Sequence, residues 1–492
     1  MASVNTNDLR ITNAENLVSS LSDISNTGLS HLFIGKANSW STGDESPPVP
    51  SSNVSEFFQT YDQMIALQRI DNDEIFHMIP KVQWVSGIIF DMYRNDYSKS
   101  NTSTTGKNNI FDARWITINQ NNNVYICLDN NKGGVSTIEP INTGDEAFYT
   151  SDGYQWLKVY TMTSAALKVA TTNLIPIVQN EVVDTTDGEI YTVVIENSGT
   201  NYTSSPAGVV NSIPQYYCKI NGDGTGAAAR VVVENGSITE VKVVRSGSGY
   251  TYGFLDFTVN KVYQSLSDMD TETSGLNPLG SGDFRSTVII GPPGGWGSDL
   301  VRELGGTRVG IFSNILSNTT DFLNNTSFRQ IGVLKGAQPQ AGQNNPTTMN
   351  ATYAVKIVTQ NASAPIYREG EIISQTVIVN GEPKVAKGVV VSWSGNDEVN
   401  GILNYVQDPR IATDDDGALY RFTGNRPVIG ETTGKIGTVV DYDGVESDRT
   451  FVNGYSTPEI QHYSGKMVYL SNISPVIRST TQNESISLII SF

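Results

Sequence analysis

Three histidines, two cysteines, a glycine-spaced loop and an aspartate run are the residues of this chain whose type and spacing could do chemistry. An imidazole can ligate a metal or move protons near neutrality. His31, His77 and His462 lie far apart and in no ligand motif, so no metal centre is expected. Cys127 and Cys218 are too few for a disulfide framework and read as buried small hydrophobes. Gly222-x-Gly224-x-Gly226 has the look of a phosphate cradle. A phosphate loop needs a helix after it, and residues 227–233 read as strand, so a turn is expected. Gly430 to Lys435 ends in Gly-Lys but lacks phosphate-loop spacing. Asp414-Asp415-Asp416 could offer oxygens to calcium. An EF-hand counted from Asp414 wants glycine where Leu419 stands and glutamate where Asn425 stands. A glycosidase pair of carboxylates leaves no spacing signature. No metalloprotease, Ser-hydrolase or Cys-His signature is present. No catalytic, cofactor-binding or metal-ligating residue is therefore assigned, and no cofactor is expected.

The elements that would position any site are strands. Charged residues are 17% of the 492, and Asn, Ser, Thr and 45 Gly take their place. Such a composition favours strands and turns over helices. The net charge of −18 repels phosphate backbones, so a nucleic-acid partner is not expected. No apolar run approaches a membrane span and no basic-then-apolar leader opens the sequence. A soluble protein made in a reducing cytoplasm is the expectation.

Along the chain, Thr12-x-x-Glu15 reads as a capping box for a helix over 13–25. Asn53-x-x-Glu56 opens a second helix, continued by Phe57, Tyr61, Met64, Ile65 and Gln68. Strands are expected at 31–34, 84–90, 113–118, 124–128, 157–160, 309–316 and from Phe328, with a weak helix at 164–170. Gly188 to Thr203 and Gly236 to Thr251 align without a gap, each ending Ser-Gly-x-x-Tyr-Thr. This is an internal duplication of a β unit. Asn380-Gly381 between apolar alternations predicts a hairpin, and Asp414–Gly417 predicts a turn before a strand at 418–422. At the end, Ile486, Leu488, Ile490 and Phe492 alternate with serines, which predicts a strand that ties down the C-terminus.

The fold class expected is mainly β. Core β-sandwich domains would carry a few short helices near the N-terminus and two inserted β-rich modules. The division is 1–183 (N-terminal core), 184–262 (duplicated module), 263–351 (core), 352–455 (second module) and 456–492 (C-terminal core strands).

Several stretches, taken in order, resemble one family. They are Phe33-Ile34-Gly35-Lys36 with Trp40-Ser41; Pro47-Pro48-x-Pro50; Ile79-Pro80-Lys81-x-x-Trp84; and Tyr125-x-Cys127-Leu128-Asp129. Asp152-Gly153-Tyr154-x-Trp156 and Phe328-Arg329-Gln330-Ile331 follow. The last is Ser464-Gly465-x-Met467-x-Tyr469, Asn472, Pro475-x-Ile477, then Gln482-x-Glu484-x-Ile486-x-Leu488-x-x-x-Phe492. Each is ordinary strand sequence, and their shared order is what resembles the dimer-forming baseplate wedge subunit of T-even-type contractile-tailed bacteriophages. The two modules depart from it as insertions.

The resemblance implies a non-enzymatic virion component of the tail baseplate, assembled in the host cytoplasm. It implies a β-sandwich homodimer that joins other wedge proteins around a central hub and takes part in rearrangement on contraction. Two other readings compete. A tail-fibre-like module would bind host surface glycans through the duplicated unit, with Tyr191, Tyr202, Tyr250 and Tyr252 exposed. A polysaccharide-degrading enzyme would use carboxylates of the β region.

Overall fold

Strands account for 42% and helices for 13% of the described residues in a computed structural model, so the fold is mainly β. The structure describes residues 6–23, 25, 28–179, 186–202, 209–210, 213–259, 261–273, 275, 283–315, 322–340, 346–359, 367–394, 400–479 and 484–492. The chain divides into two units. One comprises Met1–Glu15, Phe76–Gly310 and Ile490–Phe492; the other comprises Asn16–Ile75 and Ile311–Ile489.

The second unit holds an antiparallel sheet of five strands, in the order Thr348–Asn350, Met64–Arg69, Ser30–Gly35, Thr326–Lys335, Lys466–Arg478. Its ladder brings distant sequence together: Ile331 pairs with Ile34 on one side and with Ser471 on the other. Phe33, Met64, Leu67, Leu334, Met349 and Met467 form the buried cluster of this sheet. Gly332 has to be glycine because a Cβ there would meet the Tyr469 carbonyl oxygen at 2.4 Å and the Phe33 ring at 2.5 Å.

The same unit contains a closed barrel. Tyr353–Thr359 pairs with Asn400–Val406, then Glu382–Ser394, Ile372–Val379, Pro427–Gly430 and Ile436–Val439, which returns to Tyr353–Thr359. Six antiparallel strands thus close without a free edge. Val355, Ile373, Val390, Leu403, Val428 and Val439 fill the interior. The Asn380-Gly381 hairpin is present, with φ of 53° and 87° as a two-residue primed turn demands.

In the first unit, Ile116–Ile118, Asn123–Asn130, Tyr154–Thr161 and Phe148–Tyr149 form one sheet in that order. Val124, Ile126 and Leu128 enter one buried cluster, while Tyr125 and Cys127 enter another. Both faces of that strand are covered, which explains its continuous apolar run.

The duplicated unit has a physical basis. Its two copies supply the strands Ile190–Asn197 and Ser237–Arg245. In each copy the motif glycine has positive φ, 61° at Gly199 and 68° at Gly247. Three residues on, the tyrosine ring folds back over the missing Cβ, at 2.6 Å for Tyr202 and 2.8 Å for Tyr250. The buried phenols tie neighbouring backbone: Tyr202 Oη accepts from the Phe284 N–H at 3.0 Å, and Tyr250 Oη donates to the Ile220 carbonyl at 3.2 Å. The cluster around these strands also takes in Phe284, Val288 and Ile290, because Arg285–Ile290 pairs with Ile190–Asn197. Thr203, the last residue of the first copy, lies outside the described residues.

Several expectations need correction. The first helix spans Asn7–Leu21, starting where Thr6 Oγ1 accepts the Leu9 N–H at 3.3 Å. Thr12 and Glu15 therefore sit inside it, and Glu15 pairs with Arg302 at 2.6 Å. The second helix, Val54–Asp62, is capped by Asn53 as expected but stops before Met64. Met64 to Leu67 are all buried between two strands, and ladder pairing overrides the helical spacing. Residues 84–90 make isolated bridges only, broken at Gly87 with φ 94° and with Val85 54% exposed. Residues 418–422 form no strand: Asp416 takes the Ala418 N–H and the Tyr420 hydroxyl instead. The short helix Leu300–Leu304 lies where Asp299 to Leu304 reads as one or two helical turns, and Leu266–Thr271 and Pro409–Ala412 add two more short helices.

Candidate interaction site

The strand Ser30–Gly35 ends at Lys36, whose φ of 63° turns the chain out of the sheet. Its N–H is held by the Gln63 carbonyl at 2.8 Å. Lys36 is 4% exposed, lies 4.6 Å over the Trp40 ring and donates to Asn38 Oδ1 at 3.3 Å. Among the described residues it has no ion-pair partner. Burial first, and then the Arg410 charge, bring its ammonium down to about 8. Trp40 is fixed by its indole N–H on the Ile473 carbonyl at 3.1 Å. Asp44 accepts the Trp40 N–H at 3.0 Å and two Arg329 nitrogens at 2.9 Å. Those Arg329 hydrogen bonds are the main reason its carboxyl falls to about 2.

Lys36, Asn38 and Trp40 line a cleft of about 480 Å³ in the second unit, with Pro48, Gln330, Arg410 and Asn472. Asn472 Nδ2 donates to the Pro48 carbonyl at 2.8 Å and pins the proline-rich loop. Arg410 forks onto Asp408, which is 1% exposed, and Gln63 Nε2 donates to the same carboxylate at 2.6 Å. The arrangement offers cations, amides and one aromatic face, which suits recognition of polar or anionic groups. It contains no nucleophile–base pair.

The Val54–Asp62 helix also carries an exposed aromatic ridge. Phe58 and Tyr463 meet edge-on at 5.2 Å and are 50% and 44% exposed. Tyr463 has φ 60°, and its hydroxyl donates to Asp62 Oδ1 at 2.7 Å. His462 Nε2 contacts the same oxygen at 3.0 Å.

The other candidates of the sequence are dispersed. His31 is buried in the five-stranded sheet, and His77 lies in the Ile75–Pro80 strand of the first unit. Both cysteines are buried thiols, pushed up by burial. Among the described residues no group of His, Cys, Asp and Glu could hold a metal. The Gly222–Gly226 loop is a turn packed under Tyr250, where a Cβ on Gly224 would meet the ring at 2.4 Å. Gly430 to Lys435 closes a turn through the Gly430 N–H and the Lys435 carbonyl. Asp416 pairs with Lys384 at 2.7 Å. Tyr202 and Tyr250 are 4% exposed, which removes them from a glycan-facing set; Tyr191 is half-buried and Tyr252 is 57% exposed. Arg410 and Asp62 carried no sequence signal, because their neighbours come from remote parts of the chain.

No family model and no curated protein matches the sequence. Among the described residues no helix is long and apolar enough to cross a membrane.

Proposed function

We propose that the chain is a structural, non-enzymatic subunit of a contractile-phage baseplate wedge. It pairs with a second copy, joins other wedge proteins around a central hub, and works in the virion tail after assembly in the host cytoplasm. The reading rests on the ordered resemblance, and one observation carries it furthest. Lys36, Trp40, Ser41, Pro48, Pro50, Gln330 and Asn472, all from the resembling stretches, line a single cleft. These residues, remote in sequence, converge on one surface of the second unit. The ridge of Phe58 and Tyr463 supplies exposed aromatic anchors of the kind that dominate subunit contacts.

Size-exclusion chromatography with light scattering tests the pairing. The expected result is twice the monomer mass for the intact chain and the monomer mass for Phe58→Asp. A monomer at every concentration would remove the dimer from the reading.

A further inference from the structure

A groove of about 810 Å³ lies in the first unit, between the Tyr154–Thr161 sheet and the duplicated unit. Its walls include Tyr149, Gln155, Lys158, Glu189, Tyr191 and Trp296. Tyr149 and Val241 also line an adjoining cavity of about 250 Å³, so the groove continues past the tyrosine. Two polar atoms here are orphans: among the described residues no group hydrogen-bonds Gln155 Oε1 or Trp296 Nε1, although each residue is only 6% exposed. One is an acceptor and the other a donor. An unmet buried polar atom is costly, so a ligand that can both give and take hydrogen bonds along these walls would be favoured.

We infer that this groove binds a neutral oligosaccharide. A sugar hydroxyl is both donor and acceptor, which matches the orphan pair. Tyr149 is 55% exposed and presents an aromatic surface for the apolar face of a pyranose ring. Tyr191 sits beside Glu189, whose carboxylate accepts from hydroxyls; burial and then that carboxylate push the tyrosine phenol up. Lys158 is already committed, donating to the Thr143 carbonyl at 2.7 Å. The lining carboxylates Asp145, Glu146 and Glu189 outnumber the ammonium groups of Lys158 and Lys242, which disfavours phosphorylated or acidic chains. This inference does not rest on the assembly reading, and either can fail alone.

The test is a printed array of neutral and acidic glycans probed with the labelled full chain, followed by titration of the best neutral binder. Neutral glycans should bind. Tyr149→Ala and Glu189→Gln should each weaken binding about tenfold or more while keeping the wild-type melt. Tyr252→Ala, exposed in the duplicated unit but outside the groove, should leave binding unchanged. Absence of any neutral binder, a preference for acidic glycans, or full affinity in Tyr149→Ala would each overturn the inference. If a variant's melt collapses, Gln155→Leu, which removes the acceptor and is read by the same titration, must weaken binding instead.

Discussion

His31 and Arg69 stand opposite each other across the ladder between Ser30–Gly35 and Met64–Arg69. His31 is 2% exposed, and among the described residues its Nδ1 has no hydrogen-bond partner. Burial first and the Arg69 charge second lower its pKa to about 4. The folded protein therefore holds a neutral imidazole, while the unfolded chain protonates near pH ~6.5. Stability from this group is complete above that value and is lost as pH falls towards the folded pKa, because the unfolded state binds the extra proton. The loss should reach about 3 kcal/mol by pH ~4. Denaturant titrations across this range should show the slope in the wild type and a flatter one in His31→Leu. Parallel slopes would contradict the placement.

Arg478 and Glu484 form an ion pair at 3.0 Å with side chains 0% and 7% exposed. Arg478 also donates to the Phe322 carbonyl at 2.6 Å. Removing one partner leaves the other charge buried and unpaired, which typically costs about 3–5 kcal/mol. Glu484→Ala should lose that much in chemical denaturation. A loss under about 1 kcal/mol would mean the pair is solvated as a surface bridge is.

Trp156 is fully buried, stacked on Tyr154 at 5.4 Å and edge-on to Phe90 at 5.2 Å. Trp156→Ala should cost about 3–5 kcal/mol. Phe492 is only half-buried, and its backbone makes the tie: its N–H donates to the Thr307 carbonyl at 3.2 Å and its carbonyl accepts from Arg10. Phe492→Ala should therefore cost only about 1 kcal/mol. Equal costs in thermal melts would show the C-terminal ring to be core after all.

Gly247 supplies both a φ of 68° and the room for Tyr250. Gly247→Ala should lower stability by about 1–3 kcal/mol, the usual cost of forcing a side chain into that region. A melt unchanged by the substitution would show that the duplicated motif does not need its glycine.

Much of the fold was legible because alternation reports half-buried strands directly. The hairpin at Asn380-Gly381, the strands flanking Asn119 to Asn123 and the terminal alternation of Ile486 and Leu488 are cases in point. Met64, Ile65 and Gln68 misled because a fully buried strand shows no alternation and can fall on helical spacing by accident. Tyr202 and Tyr250 misled because polar tips gave no hint that the rings pack over glycines. Barrel closure between Tyr353–Thr359 and Asn400–Val406 is a long-range pairing with no local sign. The cleft around Lys36 was hidden for the same reason: Arg410 and Asn472 reach it only through the tertiary fold.

The assembly reading proposed above is tested most directly by a density map of contractile tails assembled in the presence of this chain. The account predicts paired copies of both units in each baseplate wedge, with contacts at the ridge of Phe58 and Tyr463. Tails whose baseplate density leaves no place for the chain, or that carry it only in a fibre, would contradict it.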